Sequence, residues 1–288
     1  MFKLAQQICF AGNPSRPNED IVGWGDNYFF VIDGASCLSG INVMDTSDAA
    51  WMVNQVKLRL CEELDRDNGS DLADILKAVL EPLREEYLCA LENAGVDIPG
   101  DSPSAGMALF VQRGSKVQFL GVGDCVGCVK SPDGTYFHTL DQNIVDLDDG
   151  VLATMADIHK QTGKNVCDCR EDVAEQLLIN RKLKNRPDGY TALDLLLIDG
   201  LKNARRMEWE LDDAGLVAGG FSDGFAELAD LYGVYGDYDR LFEAMQQNDL
   251  DQMFANMVQI QNNDPYCNRY PRFKLRDDTS ALWGVFTK

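Results

Sequence analysis

Four apolar, β-prone runs in this sequence are each bordered by an aspartate. The bordering pairs are Asp33-Gly34, Gly123-Asp124, Asp223-Gly224 and Asp277-Asp278, of which the last stands just before its run. A short apolar run is typical of a buried strand, and strand edges of a two-layer β sandwich can converge at one rim. The pattern predicts that Asp33, Asp124, Asp223 and Asp277 come together, although a single Asp-Gly after a strand is also a common turn.

Converging carboxylates without basic partners repel one another and raise each other's pKa. Divalent cations relieve this repulsion, and ligands that are all oxygen favour Mg²⁺ or Mn²⁺ over zinc or copper. A glycine beside such an aspartate leaves its own carbonyl open to a cation. Two ions about 3.5–4 Å apart can activate a bridging water and hold a phosphoryl oxygen. The pattern therefore indicates metal-dependent phosphoryl chemistry.

The charge balance argues against some classes of partner. With 47 acidic and 26 basic residues among 288, the formal net charge is −21. Such a charge disfavours binding to nucleic acid and to anionic membrane surfaces. It suits divalent cations and basic protein segments, and it serves solubility equally well.

The nine cysteines are expected to be reduced thiols rather than disulfides or zinc ligands. No signal peptide or membrane-length apolar stretch is evident, so we expect a cytoplasmic protein. Cys167-Asp168-Cys169 and the pair Cys125 and Cys128 invite a zinc interpretation. No second pair has zinc-finger spacing, and His138 and His159 are not placed to complete a site.

The periodicity of the sequence predicts a mixed α and β chain. Predicted strands cover residues 2–10, 21–24, 28–33, 104–112, 117–122, 126–130, 216–221 and 280–286, with turns at 67–69 and 132–134. Predicted helices are capped by Ser47 and by Ser70, cover Tyr238–Gln247 and Leu250–Gln261, and include one at about Glu171 to Leu183. That last helix belongs to a less regular surface excursion over 141–190. Because no linker is evident, we expect one domain over 1–288.

Six motifs follow one another along the chain. They are Arg16 before Asn18-Glu19-Asp20, Val31-Ile32-Asp33-Gly34, Ser102-Pro103-Ser104-Ala105-Gly106, Gly121-Val122-Gly123-Asp124, Phe221-Ser222-Asp223-Gly224 and Arg276-Asp277-Asp278-Thr279-Ser280. In this order they resemble the metal-dependent protein phosphatase family, the type-2C serine/threonine phosphatases, as a divergent bacterial-like member. The resemblance implies an α+β fold, a four-layer α-β-β-α sandwich of two antiparallel sheets flanked by helices.

The resemblance also implies the ligands of two Mn²⁺ or Mg²⁺ ions. Asp33 would bridge the two ions, and Gly34 would offer its carbonyl oxygen to one of them. Asp223 and Asp277 would hold the other ion. Asp124, together with Asp223, matches the position of a weaker third ion in bacterial members.

Further roles and some departures concern the first loop and two of the motifs. Glu19 and Asp20 would act largely through metal-bound water, and Arg16 would grip the substrate phosphate as an always-charged fork. Ala35-Ser36 stands where many members have a histidine proposed as general acid, so water would protonate the leaving group. Cys125-Val126 replaces the usual hydroxyl and arginine pair after Gly-Asp. Residues 141–190 match no family motif and are expected to form a divergent flap that selects the substrate.

Three functions follow from these patterns. The first is Mn²⁺- or Mg²⁺-dependent hydrolysis of phosphoserine or phosphothreonine in proteins by a monomer. The second is a catalytically weak binding or regulatory module of the same fold, and the third is a small-molecule phosphoesterase. Metal-dependent turnover separates the second from the first, and preference for phosphopeptide over small phosphoesters separates the third.

Overall fold

Two antiparallel sheets form the centre of the computed structural model, which describes residues 1–66, 69–131 and 133–288. The strands are β1 (Phe2–Phe10), β2 (Asp20–Trp24), β3 (Tyr28–Ala35), β4 (Ser104–Arg113), β5 (Lys116–Val122), β6 (Val126–Lys130), β7 (Tyr136–Thr139), β8 (Leu193–Asp194), β9 (Arg205–Glu210), β10 (Leu216–Phe221) and β11 (Thr279–Phe286). One sheet has the order β1-β11-β10-β6-β7, and the other has the order β2-β3-β4-β5-β9, with β8 paired to β4.

Strand β3 shows why the apolar runs are continuous rather than alternating. Phe29 and Val31 belong to the core between the two sheets, where Phe29 stacks on Phe110 at a ring distance of 4.7 Å. Phe30 and Ile32 belong to a second core on the opposite face of the same sheet. Because successive side chains of a strand point to opposite faces, a strand buried on both faces needs apolar residues throughout.

Helices cover the outer face of each sheet. They are α1 (Asp48–Arg66), α2 (Leu72–Ala94), α3 (Gln142–Thr162), α4 (Ala174–Arg181), α5 (Asp223–Ala226), α6 (Tyr238–Gln247) and α7 (Leu250–Asn262), with 3₁₀ segments at Val166–Val173 and Ile198–Asn203. The apolar faces of α1 and α2 pack on β3, β4 and β5, and those of α6 and α7 pack on the five-stranded sheet. These four layers confirm the predicted α-β-β-α sandwich.

The helix caps were predicted with mixed success. The Ser47 hydroxyl accepts a hydrogen bond from the backbone N–H of Ala50 at 3.0 Å, as expected for a cap of α1. Helix α2 is capped by Asp71 instead of Ser70, since the Asp71 carboxylate accepts from the N–H of Ala73 at 2.9 Å. The predicted loop residues 67 and 68 and turn residue 132 lie outside the described residues.

The prediction of a single helix in the 141–190 excursion was wrong. Helix α3 is the longest element there, capped by Asp141 at its start and by Gly163 at its end, and a 3₁₀ segment and α4 follow it. Only Val151 and Met155 of α3 are buried, so its apolar stripe is narrow. With Val166 and Cys267 they form a small core of their own that joins the excursion to the loop before β11.

Short elements at the sheet edges were also missed. Strands β7 and β9 were not predicted, because every residue of β7 is only partly buried and those of β9 alternate between partly buried and exposed. Across residues 1–66, 69–131 and 133–288, no helix combines the length and apolar character needed to cross a bilayer.

Candidate active site

The acidic strand ends meet at one cleft of about 1460 Å³. Its lining includes seven of the eight predicted site residues, namely Arg16, Glu19, Asp33, Gly34, Asp124, Asp223 and Asp277. The eighth, Asp20, is only 3% exposed and lies behind the lining. The fold therefore brings together residues that are up to 261 positions apart in the chain, from Arg16 to Asp277.

The first two carboxylates are neighbours across the hairpin of β2 and β3. Asp20 lies directly opposite Asp33 in the strand register. One oxygen of Asp20 accepts a hydrogen bond from the Ser280 hydroxyl at 2.7 Å, and the other is buried without a partner among the described residues. Burial, opposed by hydrogen bonds to Ser280 and Ser222, raises the pKa of Asp20 to about 7.

Asp33 and Asp223 both line the cleft, and the charge of Asp223 acts on Asp33. Burial, and then the charges of Asp20, Asp223 and Asp124, raise the pKa of Asp33 well above its usual value. Burial and the charges of Asp277 and Asp124 do the same for the pKa of Asp223. One oxygen of Asp223 is buried and has no hydrogen-bond partner in the described part of the chain.

The β10–β11 ladder positions Asp223. The N–H of Ser222 donates to the carbonyl of Ser280 at 2.9 Å, and the N–H of Ser280 donates to the Ser222 hydroxyl at 3.0 Å. Asp223 follows as the first residue of α5. A Cβ on Gly224 would lie 2.1 Å from the carbonyl oxygen of Asp278, so only glycine allows this close approach of the two chain segments.

Asp277 and Asp278 are adjacent in sequence but have different hydrogen-bond partners. Both oxygens of Asp278 accept backbone N–H groups, from Gly12 at 2.8 Å and from Glu19 at 2.6 Å, so Asp278 fastens the loop. Asp277 faces the cleft, and its Oδ1 accepts from the Lys274 ammonium at 2.6 Å. Lys274 was not singled out in the sequence, although its spacing of three residues from an aspartate was a visible signal.

The loop between β1 and β2 and Gly34 of β3 form one side of the cleft. The N–H of Gly34 donates to the carbonyl of Glu19 at 2.9 Å, and a Cβ on Gly34 would lie 2.6 Å from that carbonyl oxygen. The Glu19 carboxylate accepts from the Ser36 hydroxyl. Arg16 is exposed at the cleft lining, and its backbone N–H donates to the carbonyl of Asn13 at 3.0 Å.

Asp124 and the excursion form the far side. Burial and the charge of Asp277 raise the pKa of Asp124, against the opposing charges of Arg181 and Arg205. Residues of α3, the 3₁₀ segment and α4 line the cleft, and Arg181 donates to the Ser104 hydroxyl at 3.1 Å. The excursion is therefore one wall of the cleft.

The donor set fits divalent cations that prefer oxygen ligands. It consists of carboxylates and the backbone of Gly34, and in the described part of the chain one buried carboxylate oxygen each of Asp20 and Asp223 has no hydrogen-bond partner. Such orphaned, mutually repelling carboxylates are costly unless a cation or a proton neutralises them. Among the described residues, no three His, Cys, Asp or Glu side chains converge closely enough to hold one ion as they stand. Oδ1 of Asp277 faces the Lys274 ammonium instead.

The comparisons with known proteins concern the fold. No model of a known protein family matches the sequence, and no curated protein matches it. The serine/threonine phosphatase PstP/Ppp of Mycobacterium tuberculosis has 15% identity and a TM-score of 0.57, covering 100% of this chain and 99% of that one. Its catalytic domain in complex with two manganese ions gives a TM-score of 0.56 at 15% identity, again covering 100% and 99%.

A second bacterial protein supports the same conclusion. PppA of Pseudomonas aeruginosa has 16% identity and a TM-score of 0.53, with coverage of 99% of this chain and 98% of that one. The structural match extends over whole chains in each case, which confirms the resemblance at the level of the fold. This chain therefore has the fold of the bacterial serine/threonine phosphatases of the type-2C kind.

Proposed function

We propose that this protein is a Mn²⁺- or Mg²⁺-dependent phosphatase acting on phosphoserine or phosphothreonine in proteins. The observation that supports this most is that Asp33, Asp124, Asp223 and Asp277 line one cleft, where one buried oxygen of Asp223 has no hydrogen-bond partner among the described residues. Carboxylates gathered in this way are costly unless a cation or a proton neutralises them. PstP, whose fold is similar, has been crystallised with two manganese ions.

In this proposal, Asp33, the Gly34 carbonyl, Asp223 and Asp277 hold two ions, and Asp124 contributes to a weaker third. When bound, the ions activate water and stabilise the charge of the transferring phosphoryl group. The hydrogen bond from the Gly34 N–H to the Glu19 carbonyl holds the backbone of Gly34 in place. The hairpin register that pairs Asp20 with Asp33 and the Asp278 contacts fix the positions of these groups.

Substrate binding would use the cations of the cleft lining. Arg16 is exposed there, and its planar guanidinium can bind two phosphate oxygens at once. The cleft is open and about 1460 Å³, which accommodates a peptide segment as well as its phosphate. A protein substrate is therefore preferred over a small phosphoester.

The test is hydrolysis of an aryl phosphate and of a phosphothreonine peptide with added Mn²⁺ or Mg²⁺. We expect turnover to require the metal and to fall about 100-fold or more in Asp33→Asn and Asp223→Asn, since these remove a charge from the reacting centre. Asp199→Asn is the control, because that side chain is 90% exposed and forms only a surface pair. Arg16→Ala should raise KM more than it lowers kcat.

Folding must be checked alongside activity. Replacing one of two repelling carboxylates by an amide should not lower the melting temperature in EDTA, so a loss of activity in these variants reflects the site. A folded wild type without metal-dependent turnover would contradict the enzyme function and favour a binding module. Equal kcat/KM for the peptide and the small phosphoester would favour the small-molecule phosphoesterase.

A further inference from the structure

Lys274 is the one cation in direct contact with a predicted metal ligand among the ion pairs of the described residues. Its Nζ lies 2.6 Å from Oδ1 of Asp277, and both residues line the cleft. The Lys274 side chain is 46% exposed and that of Asp277 is 26% exposed, so the pair lies at the mouth of the site. The contact is therefore open to water and to ions.

The loop that carries Lys274 is fastened on both sides. Before it, the nearly buried Arg272 pairs with Asp264 at 2.8 Å and donates to the carbonyl of Leu275 at 3.1 Å. After it, Asp278 accepts the backbone N–H groups of the first loop. Because the loop is held on both sides of Lys274, the backbone from which this side chain reaches Asp277 is in a defined position.

The ammonium also responds to the carboxylates behind Asp277. Asp33 and Asp223 line the same cleft as Lys274 and Asp277, so the ammonium stands on the side of three acidic residues. An ammonium influenced by three carboxylates lies in the negative field of the whole cluster.

Another lysine of the same cleft provides the contrast. Lys164 also lines the cleft and pairs with Asp172 at 2.6 Å, with side chains 37% and 43% exposed. Its partner is not one of the converging carboxylates. The two ion pairs therefore have equal geometry but differ in whether the anion belongs to the cluster.

We propose that Lys274 is a tethered counterion of the carboxylate cluster, which competes with a divalent cation for Asp277. This inference rests on the proposed function in taking Asp277 as a metal ligand. It makes Lys274 a positioning residue that sets how tightly the cation at Asp277 is held.

The physical reason is that one carboxylate oxygen cannot face an ammonium and a divalent ion at the same short distance. For the ion to bind through Oδ1, the ammonium must leave that oxygen. If the ion binds through Oδ2, the ammonium stays close and repels it across a few ångströms of partly aqueous medium. The loss of an exposed ion pair in the first case, or this repulsion in the second, lowers the affinity of the site for the ion by about tenfold. Removing the charge of Lys274 should therefore tighten binding of the cation by about tenfold.

The experiment is isothermal titration of Mn²⁺ into the metal-free protein, for wild type, Lys274→Met, Lys274→Arg and the control Lys164→Met. We expect Lys274→Met to bind one Mn²⁺ about tenfold more tightly than wild type, by the loss of a competing charge. Lys274→Arg should stay near wild type, and Lys164→Met should equal it. A second readout is the melting temperature: adding Mn²⁺ should raise it more for Lys274→Met than for wild type, because binding to the folded state stabilises it.

The outcomes separate this inference from the proposed function. Unchanged or weaker Mn²⁺ binding by Lys274→Met, with wild type binding two ions, overturns the competition and leaves the proposed function standing. The same tightening in Lys164→Met also overturns it, because general charge removal would then explain the effect. If Lys274→Met binds Mn²⁺ and wild type does not, the result supports the competition but counts against a metal-dependent activity of the wild-type protein. Absence of binding by every variant overturns both.

Discussion

The ion pair of Lys184 and Asp194 gives the sharpest stability prediction. Its atoms are 2.5 Å apart, and the side chains are 3% and 0% exposed. It ties the end of the 141–190 excursion to β8, where Asp194 lies opposite Ser104 of β4. The Lys184 ammonium also donates to the carbonyl of Ser102 at 2.9 Å.

The two partners are not equally connected, and this sets the order of the expected losses. Besides Lys184, Asp194 accepts from the Ser102 hydroxyl at 2.8 Å and from the N–H groups of Leu196 at 2.6 Å and Leu197 at 2.8 Å. Removing one partner of a buried pair costs about 3–5 kcal/mol. We expect Lys184→Met to cost about 3 kcal/mol, at the low end of that range, because three donors still surround the carboxylate. Asp194→Ala should cost about 5 kcal/mol, since it also strands three donors.

Urea unfolding followed by circular dichroism at pH 7 measures both values. Lys77→Met is the matched control, because Lys77 pairs with Asp199 at the surface with side chains 47% and 90% exposed. Its unfolding midpoint should stay within experimental error, as exposed pairs contribute little. A Lys184→Met variant as stable as wild type, or one less stable than Asp194→Ala, would refute the reasoning from burial and hydrogen-bond count.

Three further predictions concern the site loops and the excursion. Gly224→Ala should displace the Asp278 carbonyl and weaken Mn²⁺ binding by about tenfold or more. The circular dichroism spectrum should stay unchanged. An unchanged Mn²⁺ affinity in titration calorimetry would contradict this prediction. Although burial opposes it, hydrogen bonds from Arg272 and backbone N–H groups lower the pKa of Asp264 below 3.8. The ionised Asp264 carboxylate therefore stabilises the protein fully above pH 3.8, and this stabilisation is lost as the pH falls further. The melting temperatures of wild type and Asp264→Asn should differ near neutral pH and converge in acid. A difference that stays constant with pH would contradict this prediction. Asp141→Ala removes both the cap of α3 and the contact of this carboxylate with the Thr191 N–H at 3.0 Å, and should cost about 2 kcal/mol, or about 4 °C in Tm, by calorimetry. No shift would mean that neither contact stabilises the protein.

The layers of the fold were predictable because burial on both faces leaves a direct trace in the sequence. The run from Phe29 to Ile32 has no polar member, since alternate residues enter two different cores. Helix α1 was predictable for a related reason: its buried positions recur at helical spacing behind the Ser47 cap. In both cases the periodicity is local and strong.

Helix α3 escaped prediction because little of it is buried. Val151 and Met155 are its only buried residues, and Asp146, Asp148 and Asp149 follow its first turn, so the polar face dominates the pattern. The burial of Lys184 also could not be predicted from the local sequence. This lysine stands among basic residues that suggest a solvated surface, yet it is nearly inaccessible because Asp194 neutralises it.

The sequence by itself determined which residue types stand at the strand ends and therefore that carboxylates would meet. Periodicity and turn chemistry are local, and they sufficed to place Asp33 and Asp223 at the edges of buried strands. Only the tertiary structure decided the partner of each group: Asp278 is held by backbone N–H groups, whereas Asp277 faces the cleft and Lys274. Which of these two adjacent aspartates faces the cleft depends on chain segments distant in sequence and on the direction of one backbone turn. Such information is absent from local pattern and arises when the sheets and loops pack together.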